Sequence, residues 1–457
     1  MLEAKHIIFF GGSAITLPIG IFLAASSRRA LDFVFVFLVF GTSMPAGLFG
    51  FPTDINFLSR EWYRGTTTGI EVSYLDLLAV ILLVGSLATR QREGKPLFWP
   101  PTLGLLLAYF GWCALTVVVN DPKIFGLFEL TKIARAIVLV VAVCAYIRSP
   151  REIHLFVWAL AGTIFYEALI CLRDRYVHGV YRVRGTLAHP NSLSMYCLQC
   201  VPIFIGAMFA RNTHIALRVV CILAFTAAAG CVLLSVSRTG FAALIVVSGA
   251  GFALSTGLRI TPRNVVIGLV GAVLISLMVL KSYDTIMERL GGFDLEQEYL
   301  SDEGDRGSYF RMASPAIADR PLTGVGLNNW SWAISGQYGP MAGFRMLPYL
   351  STDGGPGGGW QVAPAHNLFL ITLTEVGVPG LVLFLLFLLQ ALWISGISVI
   401  RKREQLLNLV WTGTFLSLCG VLMQSWTEWE FRQTSMFFLG HIVLGVSASL
   451  YHYLRKA

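Results

Sequence analysis

The feature that most constrains this chain is a succession of long, continuously apolar stretches, each near the length a helix needs to cross a bilayer. The hydrocarbon core is ~30 Å thick, so ~20 apolar residues make one crossing. Runs that meet this test lie at residues 7–25, 30–49, 72–89, 97–119, 124–147, 153–172, 191–210, 215–236, 239–257, 264–281, 366–397, 405–425 and 432–454. They are solidly apolar rather than alternating, which excludes strands as the spanning element. The expected fold is an all-α polytopic membrane protein of about 12–13 transmembrane helices. Composition agrees: only 13% of residues are charged, against roughly 25% in soluble domains. That leaves too little polar surface to coat a globule. The first run follows one lysine and resembles a signal sequence, but a second run starts at Ala30, so it reads as a retained span.

The basic residues orient the chain. Arg28 and Arg29 follow the first run; Arg90, Arg92 and Lys95 the third; Arg148 and Arg151 the fifth; Arg211 and Arg218 the seventh; Arg259 and Arg263 the ninth. Arg401, Lys402 and Arg403 follow the eleventh, and Arg455 and Lys456 end the chain. All sit at odd-numbered junctions, which assigns that side to the cytoplasm. The net charge of +8 is therefore a topology signal and not a nucleic-acid footprint.

The even-numbered junctions then face outward. They include a connection of roughly 80 residues, Ser282–Ala365, long enough to be functional. Three parts follow: N-terminal transmembrane helices over 1–281, a large extracytoplasmic loop with short helices over 282–365, and C-terminal transmembrane helices over 366–457. The loop contains a glycine-rich patch, 353–359, which lacks the Lys-Ser/Thr ending of a phosphate-binding loop and reads as a hinge or lid. All eight cysteines fall in or beside apolar runs, so they read as packing residues, Cys197 and Cys200 included.

Four outward sites carry unusual side chains. Tyr181–Asn191 holds Arg182, Arg184 and His189 just before a span. Arg238 lies in a connection so short that its charge sits at the membrane boundary, where a cation is costly and usually functional. Arg306, Arg311 and Arg320 lie along an expected short helix that ends near Pro321, with Gly324 and Gly326 permitting a turn after it. His366 and Asn367 stand where the chain re-enters the membrane, with Glu375 about two turns deeper. Histidine is the side chain best suited to accept a proton near neutral pH. Arginines bind phosphate through bidentate forks and stabilise a diphosphate's growing charge. Several cations around one base, beside lipid, suit a substrate with a polyphosphate-headed lipid. No carboxylate set with cation-site spacing stands out in the long loop, although Asp302, Glu303 and Asp305 lie close together, so no metal and no cofactor is expected.

At these residues the chain resembles the O-antigen ligase/polymerase superfamily of bacterial envelope glycan enzymes. The matching pieces are RGTLAHPN, SVSRTG, the stretch from Arg306 through PLTGVG to GLNNW, and HNLFLITLTEVGVPG. The resemblance implies a GT-C-like membrane glycosyltransferase in the inner membrane, its active site facing the periplasm. It implies a glycan donor linked to undecaprenyl diphosphate and, for a ligase, a lipid A–core acceptor, with membrane lipids as surroundings. A polymerase would use a second carrier-linked repeat unit instead. Carried onto this chain, Arg184, Arg238 and Arg306, or Arg311 in its place, would hold the diphosphate. His366 would be the acceptor-activating base, with His189, Asn367 and Glu375 in support. A lipid or polysaccharide transporter is the rival from another class, and it should show an internal repeat and broken helices with polar residues at mid-membrane.

Overall fold

A computed structural model describes residues 4–45, 47–48, 51–52, 54–94, 97–211, 213–259, 261–281, 283, 287–288, 307–344, 361–401 and 405–455. Lys95, Asp302, Glu303, Asp305, Arg306, the 353–359 patch, Lys402, Arg403 and Lys456 lie outside the described residues. The molecule is an all-α bundle. Its helices are α1 (Ala4–Ser26), α2 (Arg28–Gly41), α3 (Tyr74–Arg92), α4 (Leu103–Val119), α5 (Lys123–Tyr146), α6 (Pro150–Tyr176) and α7 (Pro190–Phe209). After them come α8 (Ile215–Ser235), α9 (Arg238–Thr256), α10 (Pro262–Lys281), α11 (Gly307–Asp319), α12 (Leu368–Arg401), α13 (Leu406–Ser425) and α14 (Thr434–Arg455). Every apolar run of the sequence has become a helix, and among the described residues nine are long and apolar enough to cross a membrane. Lipid as solvent explains the outward-facing Phe22, Ile245 and Trp393, each about 70% exposed.

Two helices are shorter than their runs. α2 has 14 residues, roughly 21 Å; it stops at Gly41 because Thr42 caps it and Pro45 cannot continue it. α4 starts only after Pro100–Pro101. α5 carries Glu129, Lys132 and Arg135 within its apolar run, all satisfied inside the bundle. The stretch between α2 and α3 forms a small antiparallel pair of strands, β3 (Asp54–Phe57) with β4 (Ile70–Ser73), following a two-residue pair β1 (Gly47–Leu48) and β2 (Phe51–Pro52).

α7 is the central post, with every residue from Asn191 to Phe209 buried. It packs most extensively on α13 and α8, and α13 approaches so closely that a side chain at Gly413 would sit 2.7 Å from the Ile203 Cα. Small residues at such contacts are the usual means of close helix packing in lipid.

The odd-numbered junctions gather at one end of the bundle, where their arginines cap helix C-termini. Arg90 donates to the carbonyls of Ala145 (2.7 Å) and Cys144 (3.1 Å) at the end of α5. Arg218 does the same for Met208 and Ala210 after α7, and Arg401 for Leu454 in α14. These cations therefore satisfy orphan carbonyls and meet the negative end of each helix dipole.

The opposite end is built from the even-numbered connections. Asn328, in the left-handed conformation (φ 57°), donates to the carbonyls of Thr67 and Phe125 and accepts from the Thr66 amide. Trp330 is buried beside it and donates to Ala363. The GLNNW piece thus pins the described part of the long segment between α10 and α12 onto α5 and the strand pair.

α12 is broken at Gly377 (φ 69°), and the PLTGVG piece fills the break. The Val325 amide bonds the carbonyl of Thr374 (2.9 Å), that of Gly326 the carbonyl of Glu375 (2.8 Å), and the Trp112 indole the carbonyl of Val376 (2.9 Å). The Val378 amide bonds back to Pro321 (2.8 Å). A side chain at Gly324 (φ 61°) would strike the backbone of Glu375, so this docking admits only glycine there. The two motifs are halves of one joint.

Candidate functional site: a histidine held by a polarised hydrogen-bond chain

His366 immediately precedes the first helical turn of α12. Asn367 caps that helix, its Oδ1 accepting from the Leu370 amide (2.8 Å) while its Nδ2 donates to the carbonyl of Trp426 (3.0 Å). Asn367 is thus a positioning residue that fixes where the imidazole starts. His366 is one-third exposed, and its Nδ1 lies 2.6 Å from Oε2 of the buried Glu428, in the turn between α13 and α14. The Tyr309 ring of α11 flanks it at a centroid distance of 6.0 Å.

The other oxygen of Glu428 accepts from Asn191 Nδ2 (2.7 Å), and Asn191 Oδ1 accepts from Arg182 (3.0 Å). This order orients the Asn191 amide. Arginine only donates, so the Asn191 oxygen must face it and the amide NH2 must face Glu428. Glu428 accepts there, and accepting also from His366 places a proton on Nδ1. In the neutral imidazole the lone pair is then on Nε2.

Around this chain stand further polar groups. His189 caps α7, its Nδ1 accepting from the Asn191 amide (3.2 Å). Burial, then the charges of Arg182, His366 and Arg184, pull its pKa down to about 4. Glu430 is buried 3.7 Å from His189. Burial first, then the charge and hydrogen bonding of Glu428, push its pKa well above the usual carboxylate value. The contact therefore joins two neutral groups and is not an ion pair. Arg238 begins α9, and its neighbour Thr239 meets Thr427 at 3.0 Å, which brings Arg238 to the edge of the Glu428 turn. Arg184 is exposed and donates to Ala188 (3.3 Å). Arg311 is exposed on α11, its guanidinium 4.4 Å from the Phe344 ring centroid. Arg320 turns away to Asn120 (2.7 Å).

Glu375 lies inside the bundle. It meets Arg432 at 2.7 Å, Arg432 meets Glu129 at 3.1 Å, and Glu129 meets Lys132 at 2.7 Å. Lys132 also donates to Thr67 and to the carbonyl of Arg432. Two acids and two bases balance, and the set anchors the turn that carries Glu428.

Glu428, Glu430, Arg432, Glu129 and Lys132 were not among the residues expected from sequence. The signal was present as E-x-E-x-R in a short turn between two apolar runs, and as charges three apart in an apolar run. Among the described residues His366, Glu428 and Glu430 are the group whose ligand atoms all lie within 4.8 Å of one another. A nitrogen with two carboxylates is a donor set a divalent cation accepts.

Fold and site together define a polytopic α-helical membrane protein with an arginine- and histidine-lined polar site at one end of its bundle. Residues 222–385 match the family model for O-antigen ligase, which supports membership of the chain in the O-antigen ligase superfamily. The match supports a function of the O-antigen ligase/polymerase type and implies an enzyme acting on lipid-linked glycans. It spans Arg238, Arg311, His366 and Glu375, while Arg184, His189, Asn191 and Glu428 lie outside it. No curated protein matches the chain.

Proposed function

We propose that this protein transfers a glycan from an undecaprenyl-diphosphate carrier to an acceptor hydroxyl at the periplasmic face of a bacterial inner membrane, as a ligase with lipid A–core as acceptor. The observation that carries this reading is the Arg182–Asn191–Glu428–His366 chain, which leaves His366 Nε2 as a proton acceptor among outward arginines. In the proposed step Nε2 removes the acceptor's hydroxyl proton while that oxygen attacks the sugar's anomeric carbon. The bond from that carbon to the diphosphate breaks on the opposite face, so configuration inverts. Glu428 stabilises the imidazolium as it forms. Arg184, Arg238 and Arg311, with Arg306, hold the departing diphosphate, and His189, Asn367 and Glu375 support the frame. The reaction is metal-independent in this reading, with Glu428 acting on His366 as a hydrogen-bond acceptor.

The test is reconstitution of the purified protein in liposomes with a carrier-linked oligosaccharide and, separately, lipid A–core or a second carrier-linked unit as acceptor, with and without a chelator. Product on lipid A–core that persists in chelator is expected. Product only on the carrier-linked acceptor would make the protein a polymerase, and loss in chelator reversed by a divalent cation would overturn metal independence. His366→Ala should insert normally and transfer nothing; wild-type transfer by that variant would remove the assigned base.

A further inference from the structure

We propose that His366, Glu428 and Glu430 form a zinc site whose occupancy switches off the candidate base. Inhibition by zinc rests on the glycan-transfer reading above, whereas binding of the ion does not.

Three ligand atoms, one from each residue, lie within 4.8 Å of one another. Both carboxylates are buried, the side chains of Glu428 and Glu430 being 2% and 3% exposed, and the half-open His366 provides the way in. Glu430 Oε1 faces His189 at 3.7 Å, and no donor among the described residues reaches its buried Oε2. A carboxylate oxygen buried without a donor is costly, and this one stands beside a second carboxylate. Such a pair calls for a positive particle between its members, a proton or a metal ion.

The donor set selects the metal. Magnesium and calcium take six or more ligands, nearly all oxygen, whereas an imidazole nitrogen with two carboxylates suits zinc. The two carboxylates balance its charge. Water completes the tetrahedron, because His189 Nδ1 is engaged by the Asn191 amide (3.2 Å). Zinc bonds of about 2.0–2.2 Å place tetrahedral ligand atoms roughly 3.4 Å apart. The His366–Glu428 pair at 2.6 Å would open by under ~1 Å, and the widest separation would close by at most ~1.4 Å. Side-chain rotation spans both shifts. Asn191 meanwhile holds the other oxygen of Glu428 (2.7 Å), the kind of outer bond that orients a metal-bound carboxylate.

Coordination acts through the tautomer. Nδ1 is the ring nitrogen that faces the carboxylate. An ion there takes the Nδ1 lone pair, so the single proton of the neutral imidazole resides on Nε2. Nε2 then donates and no longer accepts, and the acceptor hydroxyl keeps its proton. The ion silences the base without covering the nitrogen that meets the acceptor.

The experiment titrates untagged, chelator-washed full-length protein with zinc chloride. Equilibrium dialysis should find one zinc per chain, and X-ray absorption should show nitrogen and oxygen around it. Glu430→Gln should weaken binding at least about tenfold, the loss that even an outer-shell change brings; a retained thermal transition shows that the variant folds, and the absorption spectrum of the wild type tests the ligands without any variant. In liposomes, saturating zinc should lower wild-type kcat at least about tenfold with KM for the acceptor unchanged. A chelator should restore the rate, and the same concentration of magnesium should leave it unaltered. Sulfur in the zinc shell, substoichiometric zinc, or transfer unaffected or raised by zinc overturns the proposal. So does equal inhibition of the wild type and Glu430→Gln, each measured against its own metal-free rate. Dialysis needs no turnover, so one zinc lost on Glu430→Gln, with no transfer to any acceptor, would retain the site and reject the glycan-transfer reading.

Discussion

The imidazole Nδ1 of His366 lies 2.6 Å from Oε2 of Glu428, across 62 positions of sequence. Neither residue could be held so by its own helix. Asn367 sets His366 at the mouth of α12, Arg432 anchors the turn that carries Glu428, and Asn191 of α7 fixes the second carboxylate oxygen. Three elements thus converge to fix one tautomer. The orientation of the candidate base is a property of the whole bundle and not of the HNLFL motif alone.

The first prediction follows from that tautomer. In Glu428→Gln the amide can present its NH2 to Nδ1, which moves the imidazole proton to Nε2 and removes the proton acceptor. Loss of a correctly presented base costs about 10²–10⁴ in rate, so kcat should fall by at least about a hundredfold with KM little changed. Donor-saturated kinetics in liposomes would show it, and a variant within about threefold of wild type would remove Glu428 from the positioning role.

Much of the architecture was legible because lipid is a strict solvent. A spanning helix must be predominantly apolar, so each run of the sequence announced its helix, and the basic junctions marked one end. The limits of α2 and α4 were less legible, since local caps and prolines set them. Arg238 stood out as a charge at a depth where charges are costly, Arg184 as a cation on the side the basic junctions avoid, and His366 as a base at the mouth of a span. Glu428 did not, because two carboxylates in a short polar turn look like solvated loop residues until the fold buries them. The same holds for Glu129 and Lys132, whose pairing with Arg432 joins residues 303 positions apart. The break at Gly377 was hidden inside an unbroken apolar run. Its free carbonyls are closed by residues 321–326, a partnership that no local pattern encodes.

The second prediction separates the arginines. Arg182 is tied into the chain that polarises Asn191, whereas Arg184 is exposed and meets only a nearby carbonyl among its described hydrogen bonds. Arg184→Ala should therefore raise KM for the diphosphate-linked donor with kcat largely kept. A lost charge-assisted contact of about 1.5–3 kcal/mol corresponds to roughly a ten- to hundredfold rise. Arg182→Met should instead lower kcat, because Asn191 is freed to turn its amide. Identical kinetic signatures in the two variants would contradict the assignment.

The third prediction concerns pH. Glu430 has a folded pKa raised well above its usual 4.5. Above that value the folded state holds more protons than the unfolded one. Its contribution to stability is therefore complete at low pH and lost as pH rises toward the folded value. His189 is the opposite case. Its folded pKa of about 4 lies below the usual 6.5, so its contribution is present above about 6.5 and lost as pH falls toward about 4. Thermal unfolding in detergent should thus show a maximum between two limbs. Glu430→Gln should flatten the alkaline limb, and His189→Asn, which keeps a capping side chain, the acid limb. Unchanged limbs in both variants would show that the two groups do not stay neutral in the fold.

The fourth prediction tests the buried set beneath the site. Arg432 bonds both Glu375 (2.7 Å) and Glu129 (3.1 Å), while Lys132 completes the charge balance. Removing one member leaves an uncompensated charge in a low-dielectric interior, which costs about 3–5 kcal/mol. Glu375→Gln leaves the set one positive charge in excess, and Arg432→Gln one negative. Each variant should lower the unfolding temperature sharply and lose transfer, since Arg432 anchors the Glu428 turn. The double variant restores neutrality, with Glu129 and Lys132 still paired. Its loss should be smaller than the sum of the single losses by at least about 1 kcal/mol, the scale of coupling between residues in one network. Chemical denaturation of the four proteins in one detergent gives the cycle directly. Strict additivity would mean that the two side chains act independently despite their contact, and the set would then be a collection of separate hydrogen bonds and not a balanced ionic anchor.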